Sequence, residues 1–315
     1  MIENLKIGVI IQGPIISRGL TGANSIIPGK EVSPKDIIDY NCVPNIIDLY
    51  SRYNCEFHSF ICVTWNTEPT AELEAKIGKK NVIQISDTTL TDIPRETNIK
   101  ANNKYRQFLS TLRGLEVLKN NGCTHAIKIR TDLNLDLLKI KKKMFEVFSL
   151  NKVNNQILVA GGNINKPDRL IDLYFAGTTN CLIEACNTFL NKPEFYKDVH
   201  LDLFYKLAWW FNGNGCLPIN KCYTKDKKYS KLQCSVIKLA WSTIFSALPR
   251  EIFNDTALRG EKFPNQVLDK YFYDDKSNSE INAIISKSIN WPLRRIYNQR
   301  YNWIPYNFKK FIRKL

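Results

Sequence analysis

The chain has 315 residues, of which 44% are hydrophobic and 11% aromatic. This composition is typical of a globular protein with one large or two modest domains, and it excludes a disordered chain. The formal net charge of +15 predicts an anionic partner, which would be nucleic acid, a membrane surface or a phosphate-rich small molecule.

The cysteines and the first residues bear on the compartment. Nine cysteines lie at irregular positions without a CxxC pair, so neither a disulfide framework nor a zinc site is indicated. The opening MIENLKIGVIIQG has no basic segment and no cleavage site of the kind that signal peptides carry. No stretch approaches the roughly 18 apolar residues of a membrane span. We therefore expect a cytoplasmic protein with free thiols.

The first part of the chain alternates strand and helix patterns. Residues 6–12 and 57–66 are apolar, β-rich runs, and each predicts a strand that stops at polar or turn-forming residues. A short helix is predicted over 70–81, and a further strand over 82–87.

The middle of the chain contains the longest helical signal. Apolar residues recur at helical spacing from about Ile99 to Asn121. The stretch THAIKIRTDL, residues 124–133, then predicts a strand that ends in charged groups, and a helix is predicted over 136–148. Because charged groups are costly to bury unless they are paired, the end of this strand is a candidate site.

Further strands are predicted over 156–162 and 172–177, and further helices over 179–190 and 194–211. Nearly uniformly apolar strands that alternate with helices predict an α/β fold, which is a Rossmann-type sandwich with a mostly parallel central sheet.

Polar residues follow several of these strands. In open α/β sheets, ligands bind beyond the carboxyl ends of the strands. The strand endings that would meet along this edge are Gln12-Gly13-Pro14, Thr64-Trp65-Asn66, Ser86-Asp87 and Arg130-Thr131-Asp132. Their position predicts a ligand site.

A D-x-N-x-D string follows the charged strand. In an extended backbone Asp132, Asn134 and Asp136 share one side. Such oxygen ligands suit Mg²⁺ or Mn²⁺, which binds one or two carboxylates together with substrate phosphates. Lys128 and Arg130 have the same parity and would meet phosphate or pair with the carboxylates. The alternative is that Asp136 caps the next helix and that Asp132 pairs with Arg130.

The long helix has a polar face opposite its apolar stripe. Amide side chains both donate and accept hydrogen bonds, which suits ribose hydroxyls and base edges. The alternative is an ordinary solvated face. The residues concerned are Asn98, Asn102, Asn103, Arg106, Gln107, Ser110 and Arg113.

A group of acids follows in the chain, namely Asp172, Glu194, Asp198 and Asp202. A transferase that inverts a sugar centre needs one carboxylate near the acceptor hydroxyl as a general base. The alternative for Glu194 is that it complements the dipole at a helix start.

The alternation fades from about residue 225, so we predict a catalytic domain over 1–225 and an irregular, basic extension over 226–315. The tail 287–315 has eight basic residues and no acid, interleaved with Trp, Tyr and Phe. This mixture suits a membrane surface, with basic groups on anionic lipid and rings at headgroup level. Single-stranded nucleic acid would also fit, but no nucleic-acid module is recognisable in the α/β part.

Four segments in this order carry a family resemblance: KIGVIIQGPI, VTWN, NKYRQFLSTLRGLEVLKNNGCTHAIKIRTDL and DLYFAG. The chain resembles, over roughly residues 5–210, the WavE-type family of lipopolysaccharide-synthesis glycosyltransferases, which are similar to GT-A-fold enzymes. The resemblance implies a bacterial enzyme that moves a sugar from a nucleotide-sugar donor to a lipopolysaccharide or capsular polysaccharide.

The same resemblance implies roles for individual residues. Asp132 would bind a divalent metal in the place of the family's acidic motif, and Asn134 stands where a second aspartate would be. Because an amide is a weaker ligand than a carboxylate, a requirement for Mn²⁺ or Mg²⁺ stays open. The implied donor-binding residues are Gln12, Gly13, Pro14, Thr64, Trp65, Asn103, Arg106, Gln107, Lys128 and Arg130.

The sequence therefore predicts a glycosyltransferase at the inner membrane, held there by the tail 287–315, with a lipid-linked or oligosaccharide acceptor. Asp172, Glu194 or Asp202 would activate the acceptor hydroxyl. The alternatives are a basic nucleic-acid-binding protein and another nucleotide-dependent α/β transferase, such as a phosphotransferase. The chain lacks GxGxxG and GxxxxGKS/T patterns, which disfavours a dinucleotide fold and a P-loop.

Overall fold

The computed structural model of the protein describes residues 5–24, 33–88, 99–150, 157–160, 162–163, 166–170, 173–191 and 245–271. The predicted helix over 194–211 and the predicted tail 287–315 lie outside these residues. So do the candidate acids Asp172, Glu194, Asp198 and Asp202.

The described strands are β1 Ile7–Gln12, β2 Ile16–Leu20, β3 Ile37–Asn41, β4 Ser59–Trp65, β5 Val82–Ile85, β6 His125–Arg130, β7 Leu133–Asn134, β8 Ile157–Val159, β9 Gly162–Asn163, β10 Lys166–Leu170, β11 Tyr174–Thr178, β12 Phe245–Ala247, β13 Ala257–Leu258 and β14 Glu261–Lys262. The described helices are α1 Val43–Tyr53, α2 Ala71–Ile77, α3 Ile99–Asn120, α4 Leu137–Leu150, α5 Thr179–Leu190 and α6 Asn265–Tyr271.

The described chain forms a central sheet of seven strands in the order β12-β8-β11-β6-β1-β4-β5. β1 lies between β4 and β6 and is parallel to both, while β5 continues parallel to β4. β11 is antiparallel to β6 and β8, and β12 is parallel to β8. The predicted α/β fold with a mostly parallel sheet is therefore confirmed.

Helices cover both faces of this sheet. Ile7, Val9 and Ile11 of β1 belong to a buried core that includes residues of α1, α2 and α4. The alternate residue Ile10 points to the opposite face, where α3 packs. A Cβ atom at Gly114 of α3 would lie 2.8 Å from Cγ2 of Ile10, so the missing side chain allows this close approach. α5 packs beside α3 and completes a three-layer arrangement.

Small sheets border the central one. β2 pairs antiparallel with β3, and β7 pairs antiparallel with β13, which in turn pairs with β14. The last two strands and β12 lie within 245–271, a segment that the sequence places in the irregular extension. This segment supplies an edge strand to the central sheet and a partner strand to β7.

Element ends differ from the predicted ones in two informative places. The helix predicted over 70–81 ends at Ile77, because Gly78 with φ 87° turns the backbone out of the helix. The strand predicted over 124–133 ends at Arg130, and residues 131–132 form a turn. In the described part of the chain, no helix combines the length and apolar character that crossing a bilayer requires.

Candidate functional site

A cavity of about 610 Å³ opens at the carboxyl ends of β1, β4 and β6. The strand endings that the sequence predicts to meet along one edge do meet here. Of the predicted site residues, those that line the cavity are Gln12, Gly13, Pro14, Trp65, Asn103, Arg106, Gln107, Arg130 and Asp132. Sequence reasoning missed other residues of the wall: Ile16, Ser17, Arg18, Thr67, Glu68 and Arg259.

The ends of β1 and β6 are tied to each other. The Thr131 hydroxyl donates to the Pro14 carbonyl oxygen at 2.8 Å, and the Thr131 amide donates to the Gln12 carbonyl oxygen at 3.1 Å. The Ser110 hydroxyl of α3 donates to Oε1 of Gln12 at 2.6 Å. The floor of the cavity is therefore held by hydrogen bonds from a neighbouring loop and a helix.

Helix α3 presents its first polar turns to the cavity. Asn103, Arg106 and Gln107 lie on the wall, as the polar-face pattern predicts. Nε of Arg106 donates to Oδ2 of Asp87 at 2.7 Å. Because Asp87 follows β5, this ion pair joins α3 to the edge of the sheet.

Two predicted donor-binding residues do not line this cavity. Thr64 is completely buried in β4, and within the described residues its hydroxyl has no hydrogen-bond partner. Lys128 is also completely buried, with Nζ 4.9 Å from the centre of the Phe175 ring on β11. Although Lys128 and Arg130 share strand parity, only Arg130 lies at the strand end where the cavity opens.

Asp132 is the buried centre of a polar cluster, which we call the clamp cluster: Ser17, Arg130, Asp132 and Arg259. Nε of Arg130 donates to Oδ1 of Asp132 at 2.9 Å, and Nη2 donates to Oδ2 at 2.7 Å. Nη2 of Arg259 lies 2.9 Å from the same Oδ2. The Ser17 hydroxyl also donates to Oδ2, at 2.6 Å, and accepts from Nε of Arg259 at 3.1 Å.

The charge state of Asp132 follows from these contacts. Burial opposes ionisation of its carboxyl, since only 2% of the residue is exposed. The Arg130 guanidinium, followed by Arg259 and the Ser17 hydroxyl, outweighs this effect and lowers the pKa of Asp132 to about 2. Asp132 is therefore an anion across the physiological range.

Asn134 belongs to a second group, the α1 cluster: Asn45, Asp48, Arg52 and Asn134. Nδ2 of Asn134 donates to Oδ1 of Asn45 at 2.9 Å and to Oδ2 of Asp48 at 3.1 Å. Its Oδ1 accepts from Nη2 of Arg52 at 2.8 Å. The expectation that alternate residues share one side is wrong here, because the turn at 131–132 interrupts the extended backbone.

Asp136 caps a helix, which is the alternative to metal binding that the sequence suggests for it. Its Oδ1 accepts from the backbone N–H groups of Leu138 and Lys139 at 3.0 and 3.2 Å, so it caps the start of α4.

The described residues do not form a ready metal site. Among them, no group of three or more His, Cys, Asp and Glu side chains could hold a metal ion. Both oxygens of Asp132 already accept hydrogen bonds from guanidinium groups. The predicted partner Asn134 faces α1, so the pair predicted to bind Mn²⁺ or Mg²⁺ does not converge on one point.

Arg259 reaches the site from the turn between β13 and β14. The pairing of Leu258 with Glu261 leaves Arg259 and Gly260 as the two turn residues, with φ angles of 49° and 83°. The Arg259 amide also donates to the Asp132 carbonyl oxygen at 2.8 Å. The only local signal for this contact is an Arg-Gly turn between two very short strands, which is too weak to indicate a site.

No protein-family model matches the chain, and no curated protein matches it either. Among solved structures, the chain is similar to a cytidylyltransferase from Leptospira borgpetersenii, with 13% identity over 90% of this chain and 95% of that one, at a TM-score of 0.38. It is also similar to a glycosyltransferase involved in the glycosylation of the major capsid of PBCV-1, with 9% identity over 87% of this chain and 98% of that one, at a TM-score of 0.35.

Similarities of this size carry no argument about function. The resemblance to the WavE-type family therefore rests on its motif residues alone.

Proposed function

We propose that the protein is a glycosyltransferase that moves a sugar from a nucleotide-sugar donor to a lipopolysaccharide or capsular polysaccharide acceptor. The observation that carries this proposal is the cavity at the carboxyl ends of β1, β4 and β6, whose wall combines arginines, amides and a tryptophan. A cavity of about 610 Å³ is within the range of small-molecule sites, which is roughly 300–1,000 Å³.

The wall offers a match for each part of such a donor. Arginine binds phosphate through paired hydrogen bonds, and Arg130 and Arg259 lie together on the wall. The amides of Asn103 and Gln107 suit ribose hydroxyls and base edges, while the Trp65 ring offers a surface on which a base or a sugar stacks.

The chemistry that these residues would supply is electrostatic. When the bond between sugar and diphosphate breaks, negative charge grows on the leaving diphosphate. Guanidinium groups fixed beside it stabilise that charge without reorganising during the reaction. A divalent ion would supply the same stabilisation. Asp132 and Asn134 do not converge on a site for such an ion, so the arginines are the groups that we propose for this role.

A base for the acceptor hydroxyl is needed if the enzyme inverts the sugar centre. Asp172, Glu194 and Asp202 stay predictions for this role. The cavity wall adds Glu68, whose Oε2 accepts from the Ile15 amide at 3.1 Å and which forms no salt bridge within the described residues. The other wall carboxylates, Asp87 and Asp132, are paired with arginines.

The acceptor and the membrane location are proposed from the sequence. The basic and aromatic tail 287–315 would hold the enzyme on the anionic inner membrane, where a lipid-linked acceptor lies.

The donor is tested with a thermal-shift panel of UDP, GDP, CMP and their common sugar conjugates on the full chain, with and without Mn²⁺. A ligand at about 100 times its dissociation constant stabilises a protein by roughly 2.7 kcal/mol, which raises the midpoint by several degrees. We expect one nucleotide class to do so. A panel without any shift, on protein with a cooperative unfolding transition, would contradict the proposal and lead to oligonucleotides as the next ligands.

The base is tested by parallel variants Glu68→Gln, Asp172→Asn, Glu194→Gln and Asp202→Asn. The amide at position 68 still accepts from the Ile15 amide, so the fold is kept while the base is lost. We expect kcat for transfer to fall about 100-fold or more for the variant of the true base, with little change in KM. A Glu68→Gln enzyme with an unchanged kcat would remove Glu68 from this role.

A further inference from the structure

We propose that Arg130 and Arg259, held side by side by Asp132, form a clamp for the donor diphosphate that works without a metal ion. This inference rests on the proposed function, because its ligand is the diphosphate of a nucleotide sugar. Asp132 is then a positioning residue rather than a metal ligand, and Arg259 is a binding residue that the sequence does not indicate.

The first support is the shared contact. Nη2 of Arg130 and Nη2 of Arg259 lie 2.7 and 2.9 Å from the same atom, Oδ2 of Asp132. Two guanidinium groups are thereby fixed next to each other at the cavity wall. Phosphate oxygens that bridge such a pair receive hydrogen bonds from both cations at once.

The second support is the charge of the wall. Four arginines lie on it, at positions 18, 106, 130 and 259, with three carboxylates, at positions 68, 87 and 132. The clamp cluster on this wall combines two arginines with one carboxylate, so its own charge is +1. Cations close together repel each other in a partly buried site, and an anion between them relieves that repulsion.

The third support is backbone strain at Arg259. Among the described residues it is the only one other than glycine with a positive φ angle. Two-residue turns with two positive φ angles favour Asn and Gly at these positions, so Arg is an unfavourable choice for the turn itself. Strained residues of this kind cluster at ligand sites, where the surrounding contacts hold them in place.

The fourth support is the space made for the guanidinium. A Cβ atom at Gly19 would lie 2.7 Å from Cζ of Arg259 and 2.8 Å from both of its Nη atoms. Nη1 of Arg259 also donates to the Leu20 carbonyl oxygen at 2.5 Å. β2 therefore both accommodates and orients this side chain.

The same contacts disfavour a metal at Asp132. A cation there would have to displace hydrogen bonds from Arg130, Arg259 and Ser17. It would also stand beside two positive charges, which repel it.

The test is isothermal titration calorimetry on the full chain with UDP and GDP, each compared with its monophosphate, in excess EDTA and in excess Mn²⁺. We expect the diphosphate that binds to show dissociation constants within about threefold of each other in the two buffers. Binding of a diphosphate only in Mn²⁺ would overturn the clamp and leave the proposed function intact. Binding of neither diphosphate would overturn the clamp, and it would overturn the proposed function as well if the thermal-shift panel also shows no shift.

The variant Arg259→Lys separates binding from structure. A lysine keeps the charge but cannot form the paired bonds of a guanidinium, so we expect the diphosphate Kd to rise about tenfold to 100-fold. The monophosphate Kd should stay within about threefold. Equal losses for both nucleotides would mean a structural role and overturn the clamp.

Two further variants secure the result. Arg52→Lys makes the same change in the α1 cluster, and we expect it to leave both dissociation constants unchanged. If Arg259→Lys does not fold, Arg259→Asn places a residue that the turn favours and should show the same selective loss of diphosphate binding. Retained diphosphate affinity in Arg259→Asn would overturn the clamp.

Discussion

Two polar clusters lie on opposite sides of a single turn, and they differ in burial. In the clamp cluster the Asp132 side chain is 1% exposed and that of Arg259 is 9% exposed. In the α1 cluster the side chains of Arg52 and Asp48 are 40% and 50% exposed. Both clusters pair arginine with carboxylate, but solvent screens only the second, so their energetics differ widely.

Residue types alone therefore do not distinguish a ligand-binding site from an ion pair on the surface. Asp132 and Asn134 are separated by one residue, and a D-x-N-x-D string suggests that they act together. The structure divides them between a cavity wall and a helix surface. The following predictions test this division in order of decreasing effect.

Asp132→Ala should cause the largest change. It leaves the guanidiniums of Arg130 and Arg259 beside each other without their shared carboxylate, and breaking such a buried pair costs about 3–5 kcal/mol. Urea unfolding would measure the free energy of unfolding. Asp48→Ala, the matched change in the α1 cluster, should cost roughly 0.5 kcal/mol. Equal losses would show that the two clusters do not differ in energy.

Acid should weaken the clamp cluster selectively. The carboxyl of Asp132 has a pKa of about 2 in the folded protein, against an ordinary value of 3.8. Its contribution to stability is therefore fully present above pH 3.8 and is lost as the pH falls toward 2. The loss is on the order of 2 kcal/mol.

This acid effect is measured as the difference in unfolding free energy between the wild type and Asp132→Asn as a function of pH. We expect the difference to shrink between pH 3.8 and 2. A difference that stays constant over this window would mean that Asp132 is not a stabilising anion.

Gly19→Ala tests how firmly Arg259 is held. The added methyl group would collide with the guanidinium, and overpacking of this kind costs about 1–3 kcal/mol. We expect weaker diphosphate binding by calorimetry together with a lower unfolding midpoint. Arg18→Ala is the stability control, because Arg18 lies on the same strand and has an exposed side chain. It should change the free energy of unfolding by less than about 0.5 kcal/mol. Unchanged binding in Gly19→Ala would show that Arg259 is not fixed by β2.

Asn134→Ala should have the smallest effect. It removes hydrogen bonds to Asn45 and Arg52 at the edge of α1, which contribute about 1 kcal/mol. Diphosphate affinity should not change, with or without Mn²⁺. If Asn134→Ala bound the diphosphate more weakly than the wild type only in Mn²⁺, Asn134 would be a ligand in the metal site that the sequence suggests.

Much of the fold could be predicted from the sequence because its signals are local. The strands near 6–12 and 57–66 and the helix from about Ile99 are long apolar or periodic runs, and β1, β4 and α3 follow them closely. The paired strands β2 and β3 and the short strands β13 and β14 were not predicted. Strands of two to five residues with mixed polarity have no pattern that distinguishes them from loops.

The predictable part of the site also has a local cause. Gln12, Trp65 and Arg130 end parallel strands, and parallel strands bring their carboxyl ends to one edge. Asn103 and Gln107 were predicted from a polar helix face. Lys128 and Thr64 do not line the cavity, because the pattern of a strand does not show at which residue the cavity begins.

Local residue patterns were enough to predict the alternation of strands and helices, and with it the edge at which polar strand endings meet. The periodicity of apolar residues is a property of neighbouring residues, so the succession of strands and helices can be read along the chain. By contrast, the contacts of Asp132 with Arg259 and Ser17, and those of Asn134 with α1, depend on how the chain folds. The physical reason is that a two-residue turn reverses the alternation of side chains. In addition, the second arginine arrives through pairing between β7 and a distant strand.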